Sequence, residues 1–418
     1  MHRATARQIR RLVPALATAA LVASCTLEIS APVEPPPDTW DPALNTHPDG
    51  PAFQGLLDRY VREGLPGVVL FVRTPQGQWN GAAGYAKIET AAPMLPTHRH
   101  FAASITKMYT AAGVLLLVED GLINLDAGIS QYLPATIYLR IPNGAGATVR
   151  QLLGHTSGIP DFGVLAYDLD TLNDPMGSFP PERLLSYIQD ESPIFPPGTG
   201  YFYSNVNYLL LALIMDHVTG ASHANVISER IIRPLGLGAS YYKNEPGYPK
   251  PPGLVNSYQD LAGDGRLVNV SDVTTHFNGM FIGHTGLIAS SSDFAAFIEA
   301  LLDGRVVNQA SLAEMQKRTE CECYGLGLHF ALTEYGLAVG HDGGDFGIRS
   351  EVRHFPDLDA TLVLLVNGGD SGTTGRLFDR LWDEVMHVAL ADITAVSPPS
   401  AVGRTRETSI VGASTLDR

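Results

Sequence analysis

Strand patterns lie at the two ends of the central part of the chain, and helical patterns lie between them. Residues 68–72 form a short apolar run. Residues 80–87 form a second after the turn-rich Thr74-Pro75-Gln76-Gly77, which reads as an antiparallel hairpin. Four more strand patterns follow much later, at 324–333, 337–341, 348–355 and 360–367. The last pair is joined by Pro356-Asp357-Leu358-Asp359. From about 100 to 300 the reading is mainly helical. The expected fold class is therefore α/β (α+β): one antiparallel β-sheet, completed by the first and last segments and flanked by helices, with an inserted mainly helical domain. The sheet part covers about 51–98 and 300–392, and the helical part about 99–299. A helix over 52–63 carries Phe53, Leu56, Leu57 and Tyr60 on one face, and an amphipathic helix over 376–390 closes the fold.

The flanks read differently. Arg3, Arg7, Arg10 and Arg11 precede an apolar run at 12–23 that is too short to span a bilayer and ends in small residues. Residues 1–24 thus have the form of an export signal. Val22-Ala23-Ser24-Cys25 is similar to a bacterial lipobox, which implies that Cys25 becomes the acylated first residue of a protein anchored in the cell envelope, on its periplasmic face. Residues 25–50 hold Pro32, Pro35, Pro36, Pro37, Pro42 and Pro48 and read as a semi-rigid tether. Residues 393–418 read as a flexible tail. The folded domain is expected over 51–392.

Composition narrows the function. A chain that is 45% hydrophobic and 17% charged is not disordered. Three cysteines cannot build a disulfide scaffold. A net charge of −15 argues against nucleic acid as a partner, because phosphate contacts need clustered Lys and Arg.

Two motifs carry chemistry. Phe101-Ala102-Ala103-Ser104-Ile105-Thr106-Lys107 opens a long apolar helix that ends near Asp120-Gly121. Ser104 and Lys107, three apart, share one helix face. The apolar residues around them, Ala111, Leu115 and Val118 included, bury the helix almost all round. A buried Lys has a lowered pKa and can act as a base. A Ser at a helix start has backbone N–H groups nearby that suit an oxyanion, so the pair reads as an activated nucleophile. Pro197-Gly198-Thr199-Gly200-Tyr201-Phe202-Tyr203-Ser204-Asn205 precedes a second apolar helix over 208–218. Tyr203 and Asn205 point to the same side of an extended loop; a phenol can relay a proton, and an amide can hold a substrate or a Lys.

With these residues the chain resembles the serine penicillin-recognising family: class C β-lactamases, D-Ala-D-Ala carboxypeptidases, D-aminopeptidases and related esterases. That family carries Ser-x-x-Lys, then Tyr-x-Asn, then a Lys- or His-x-Gly strand motif. Asp120-Gly121-Leu122-Ile123-Asn124-Leu125-Asp126, Leu152-Leu153-Gly154-His155-Thr156-Ser157-Gly158 and Gly286-Leu287-Ile288-Ala289-Ser290-Ser291-Ser292-Asp293-Phe294 resemble its framework segments. His341-Asp342-Gly343-Gly344 and His284-Thr285-Gly286 both fit the third motif, and position between late strands favours His341. The resemblance implies an acyl-enzyme at Ser104, with Lys107 and Tyr203 sharing base and acid work. Asn205 would position substrate and Lys107. His341, Asp342 and Gly343 would line the substrate site, His341 orienting the proton network or adding positive potential. The N–H groups of Ser104 and Gly344 would form the oxyanion hole. The substrate would be a small ester, amide or D-amino-acid peptide, and no cofactor or metal is implied.

Asp342 departs from the family, which usually has Thr or Ser there to help hold a substrate carboxylate. If Asp342 points into the cleft, like charge disfavours penicillins and D-Ala-D-Ala ends, at about 1 kcal/mol in water and more when desolvated. Esterase or D-aminopeptidase activity is then favoured over carboxypeptidase or β-lactamase activity; a catalytically inactive cell-envelope binding protein is the alternative of another class. Other patterns read as decoys. Ser240-Tyr241-Tyr242-Lys243 lies in a loop, Gly369-Asp370-Ser371-Gly372 reads as a turn, and His98-x-His100 lacks partners for a metal. His155 reads as a hydrogen-bonded core residue. Cys321 and Cys323 are expected to be two thiols or a labile bridge.

Overall fold

The computed structural model describes residues 40–369 and 372–396. Cys25, the export signal and Asp370-Ser371 lie outside the described residues. Seven strands form one sheet: β1 (Gly67–Thr74), β2 (Gly77–Lys87), β3 (Ala92–Pro93), β4 (His329–Thr333), β5 (Gly336–Asp345), β6 (Ile348–Phe355) and β7 (Ala360–Val366). Their order is β3-β2-β1-β7-β6-β5-β4, and every pairing is antiparallel. The early hairpin and the late meander meet where Val68 pairs with Val366 and Arg73 with Thr361. The two ends of the chain thus complete one sheet, as expected.

Side-chain alternation along these strands separates two cores. Val68, Leu70, Val72, Leu362, Leu364 and Val366 face a layer made by helix Gly50–Glu63 and helix Gly372–Val396, which supply Phe53, Leu57, Tyr60, Phe378, Leu381 and Val385. The intervening Val69, Phe71, Val339, Val352, Val363 and Leu365 face the opposite way. There they meet helix Thr106–Glu119, helix Ser291–Leu302 and the rest of the inserted region. Full burial of one such Leu or Val is worth about 1.5–3 kcal/mol. No helix among the described residues is long and apolar enough to cross a membrane.

Three boundaries differ from expectation. The closing helix runs from Gly372 to Val396, longer than 376–390 and into the expected tail. Residues 40–50 belong to the fold and not to a tether. Trp40 packs edge-on at 6.0 Å from Phe71, Asn45 exchanges hydrogen bonds with the Asn80 backbone, and buried His47 reaches Thr74 Oγ1 at 3.0 Å. Prolines there set bends without preventing these contacts. The strand expected to end at His341 continues through the glycines to Asp345, because Gly343 and Gly344 pair with Ser350 and Arg349 of β6.

Candidate active site

Ser104 sits in a tight 3-10 turn, Ala103–Ile105, immediately before helix Thr106–Glu119. Ala103 has a φ of 46°, in the left-handed region that disfavours a residue with a Cβ by about 1–2 kcal/mol. The backbone is therefore strained one residue before the candidate nucleophile. Lys107 lies in the first helical turn with no solvent exposure. Its Nζ donates to Ser104 Oγ at 2.9 Å and to Asn205 Oδ1 at 2.8 Å, and it lies 3.4 Å from the His284 carbonyl. Burial pulls the Lys107 amine down from 10.5 to about 7, against the opposing pull of the Asp161, Asp342 and Asp345 carboxylates. Near neutral pH a large fraction is therefore uncharged and able to accept a proton.

Tyr203 and Asn205 arrive from the other side. Asn205 is the first residue of helix Asn205–Thr219, which ends at Gly220 in a left-handed conformation, φ 66°. The Tyr203 ring lies 4.7 Å from Lys107 Nζ, and its hydroxyl is hydrogen-bonded to Ser104. Burial raises the Tyr203 phenol well above its ordinary value, so it stays protonated. Of the two, Lys107 is the group able to accept a proton near neutral pH and Tyr203 the one able to donate. The Asn205 side chain is held in turn by Asp161, whose Oδ2 accepts from Asn205 Nδ2 at 2.9 Å.

The third motif is on β5. Its Gly343 approaches the Ser104 turn so closely that a Cβ would stand 2.4 Å from the Ala102 carbonyl and 3.1 Å from Ala103 Cβ. Only glycine permits that contact, which brings β5 against the nucleophile's turn. His341 is buried on the cleft face. Its Nδ1 donates to the Asp342 carbonyl at 2.6 Å, so Nε2 accepts from the Tyr324 hydroxyl at 2.9 Å. Burial lowers its pKa to about 3, outweighing Asp342. His341 is consequently neutral: it orients a hydrogen-bond network and adds no positive potential.

Asp342 faces the other way. On the extended β5 it points to the face opposite His341, toward the layer of the two terminal helices. Its carboxylate lies 3.1 Å from His329 Nδ1, 3.5 Å from Arg353 Nη2 and 3.9 Å from Arg349 Nη1. Burial alone would raise this carboxyl, but the His329 hydrogen bond and the Arg353 guanidinium hold it well below the usual range. The expectation that Asp342 confronts the substrate's carboxylate is therefore corrected.

Sequence reasoning passed over three participants. Asp161 braces Asn205. Tyr324 bonds His341 and stands 6.0 Å edge-on from the Tyr203 ring. His284, set aside as a motif, contributes its carbonyl beside Lys107 and a ring 5.6 Å from Phe162. No local spacing marks them, since each acts across more than one segment of the fold. His155 is a core residue as expected: it receives the Ser204 amide at 3.2 Å and sits 4.3 Å from the Tyr203 ring. Ser240 and Lys243 do not meet. Ser240 bonds Asp293 at 2.8 Å, and Lys243 bonds the Asn278 carbonyl at 2.7 Å. Cys321 and Cys323 are joined as a disulfide.

A buried Lys against a Ser hydroxyl, a protonated Tyr on that same hydroxyl and a glycine-bearing strand beside it define an acyl-transfer site with serine as nucleophile. The chain belongs to the Beta-lactamase family, whose profile matches residues 53–385, and so to the serine hydrolases that share this fold. It is 26% identical over 318 residues to a penicillin-binding protein of Bacillus subtilis, covering 72% of this chain and 68% of that one. It is 28% identical over 340 residues to a D-aminopeptidase of Brucella anthropi, covering 77% of this chain but only 61% of the relative. Among solved structures, the D-amino acid amidase of Ochrobactrum anthropi, in complex with L-phenylalanine amide, superposes with a TM-score of 0.67 at 26% identity. That match covers 81% of this chain and 98% of the other.

Proposed function

We propose that this protein hydrolyses a small ester or amide through an acyl-enzyme at Ser104. The observation that carries the reading is Lys107 Nζ held 2.9 Å from Ser104 Oγ, without solvent and with its pKa brought to about 7. Neutral Lys107 takes the Ser104 proton as Oγ attacks the substrate carbonyl. The amides of Ser104 and Gly344 receive the oxyanion. Collapse expels the alcohol or amine, protonated by Tyr203, which regains its proton from Lys107. Water repeats the attack on the acyl group and restores Ser104.

Substrate preference rests on His341. A neutral imidazole offers no fixed positive charge to a substrate carboxylate, which favours esters and D-amino acid amides over penicillins and D-Ala-D-Ala ends. The likeness to a D-aminopeptidase and a D-amino acid amidase supports the same class. Asp342, turned from the cleft, lends this preference no support. The test is intact mass after mixing with a p-nitrophenyl ester, D-phenylalanine amide or a fluorescent penicillin. An adduct or turnover that is lost in Ser104→Ala is expected, with the ester and amide ahead of the penicillin. Penicillin acylating fastest would favour a carboxypeptidase or β-lactamase. No adduct and no turnover with any donor would favour a binding protein.

We also propose export and lipid anchoring in the cell envelope, supported by the residue pattern of 1–25. Metabolic palmitate labelling should mark the wild type and not Cys25→Ala. Equal labelling of both would sink this proposal.

A further inference from the structure

We propose that Asp161 is a positioning residue: its carboxylate holds the Asn205 amide with the oxygen toward Lys107, so that Lys107 can serve Ser104. The inference rests on the acylation of Ser104 proposed above and goes beyond it, because Asp161 touches neither Ser104 nor Lys107 by hydrogen bond. The geometry assigns the role. Asp161 Oδ1 accepts the backbone amides of Phe162 at 3.0 Å and Asn205 at 3.1 Å, and Oδ2 accepts Asn205 Nδ2 at 2.9 Å. Three donors converging on one side chain call for an acceptor-only carboxylate. With its NH₂ tied to Asp161, the Asn205 amide has one way to face Lys107, through Oδ1, and does so at 2.8 Å.

The consequence is a question of donors and acceptors. In Asp161→Asn the new amide oxygen can keep the two backbone N–H groups, but its NH₂ then opposes the NH₂ of Asn205. Rotating the Asn205 amide relieves that clash and turns its NH₂ toward Lys107. An ammonium cannot accept from that NH₂, whereas a neutral amine can. The change therefore favours neutral Lys107, and loss of the Asp161 charge acts in the same direction. The other groups that act on Lys107 are common to wild type and variant: the Asp342 and Asp345 carboxylates at longer range, the His155, His284 and His341 imidazoles, and the Tyr203 and Tyr208 rings. Tyr167 also feels the Asp161 charge.

The test follows the 13Cε resonance of Lys107 through a pH titration of the full chain, which needs no substrate. The midpoint should fall by about 1 pH unit in Asp161→Asn relative to wild type. Ester cleavage should fall about 10–100-fold in kcat with little change in KM, as expected for a displaced proton acceptor. Adding Asp161→Asn to Asn205→Ala should cost no more than about twofold, because Asp161 acts through that amide. Asp161→Ala, which sets no donor against Asn205, should lower the midpoint and lose less rate than Asp161→Asn. An unmoved midpoint, additive losses in the double variant, or a greater loss in Asp161→Ala would each overturn the inference. A wild type that cleaves neither ester nor amide would contradict the proposed function, while the titration would still decide the place of Asp161.

Discussion

Replacing Lys107 with methionine should remove catalysis and alter how stability depends on pH. Lys107 ionises at about 7 in the fold against 10.5 when exposed, and burial is the main cause. At about 1.36 kcal/mol per pH unit, that difference is on the order of 5 kcal/mol. The sign follows from proton counts. Between pH 7 and 10.5 the unfolded chain holds a proton on Lys107 that the folded chain has lost, so stability rises with pH across this window. Above 10.5 the effect is fully relieved, and below 7 the penalty is constant. Lys107→Met never carries that penalty, although Ser104 Oγ and Asn205 Oδ1 lose their shared donor, at about 1–3 kcal/mol. Urea unfolding of both proteins at pH 6 and pH 9.5 measures the difference. The variant should be the more stable by about 2 kcal/mol at pH 6, and the wild type should gain about 3 kcal/mol on it by pH 9.5. Groups common to both proteins cancel in that comparison. Stability curves that run parallel from pH 6 to 9.5 would refute the buried, lowered amine.

Gly343→Ala puts a Cβ 2.4 Å from the Ala102 carbonyl and should push β5 from the Ser104 turn, lowering kcat by about 100-fold while the fold persists by circular dichroism. Asp342→Thr should leave the ratio of ester to penicillin kcat/KM within about twofold, since the carboxylate serves His329 and Arg353 on the far face; a larger change would return Asp342 to the cleft. Tyr324→Phe strips His341 Nε2 of its donor and should destabilise the protein by about 1–3 kcal/mol in urea titrations, with a fall in kcat larger than any change in KM.

The sheet was legible because its strands alternate or run apolar, and because the early and late patterns each lack a partner until they meet at Val68 and Val366. Ser104, Lys107, Tyr203 and Asn205 were legible through short spacing within strong helical context, and the structure brings all four together. Asp342 was misread for a specific reason. Ending the strand at His341 left the next side chain's direction open, whereas on a continuous strand neighbours must face opposite ways. Gly343 and Gly344 hid that continuity, having no side chains to sustain the alternation. Asp161 and Asn205 lie 44 positions apart and Tyr324 and His341 lie 17 apart, and only the fold makes neighbours of them. The proline-marked stretch before Gly50 read as linker, yet Trp40, Asn45 and His47 find partners on β1 and β2.

The central claim is that Lys107 is the base that activates Ser104, and the pH dependence of wild-type ester acylation tests it most directly. With the amine near 7, kcat/KM should fall about tenfold per pH unit below that point and level off above it. Ser104→Ala should show no such limb. A rate that keeps climbing to pH 10, as an ordinary lysine would require, or one that shows no limb near 7, would contradict the account.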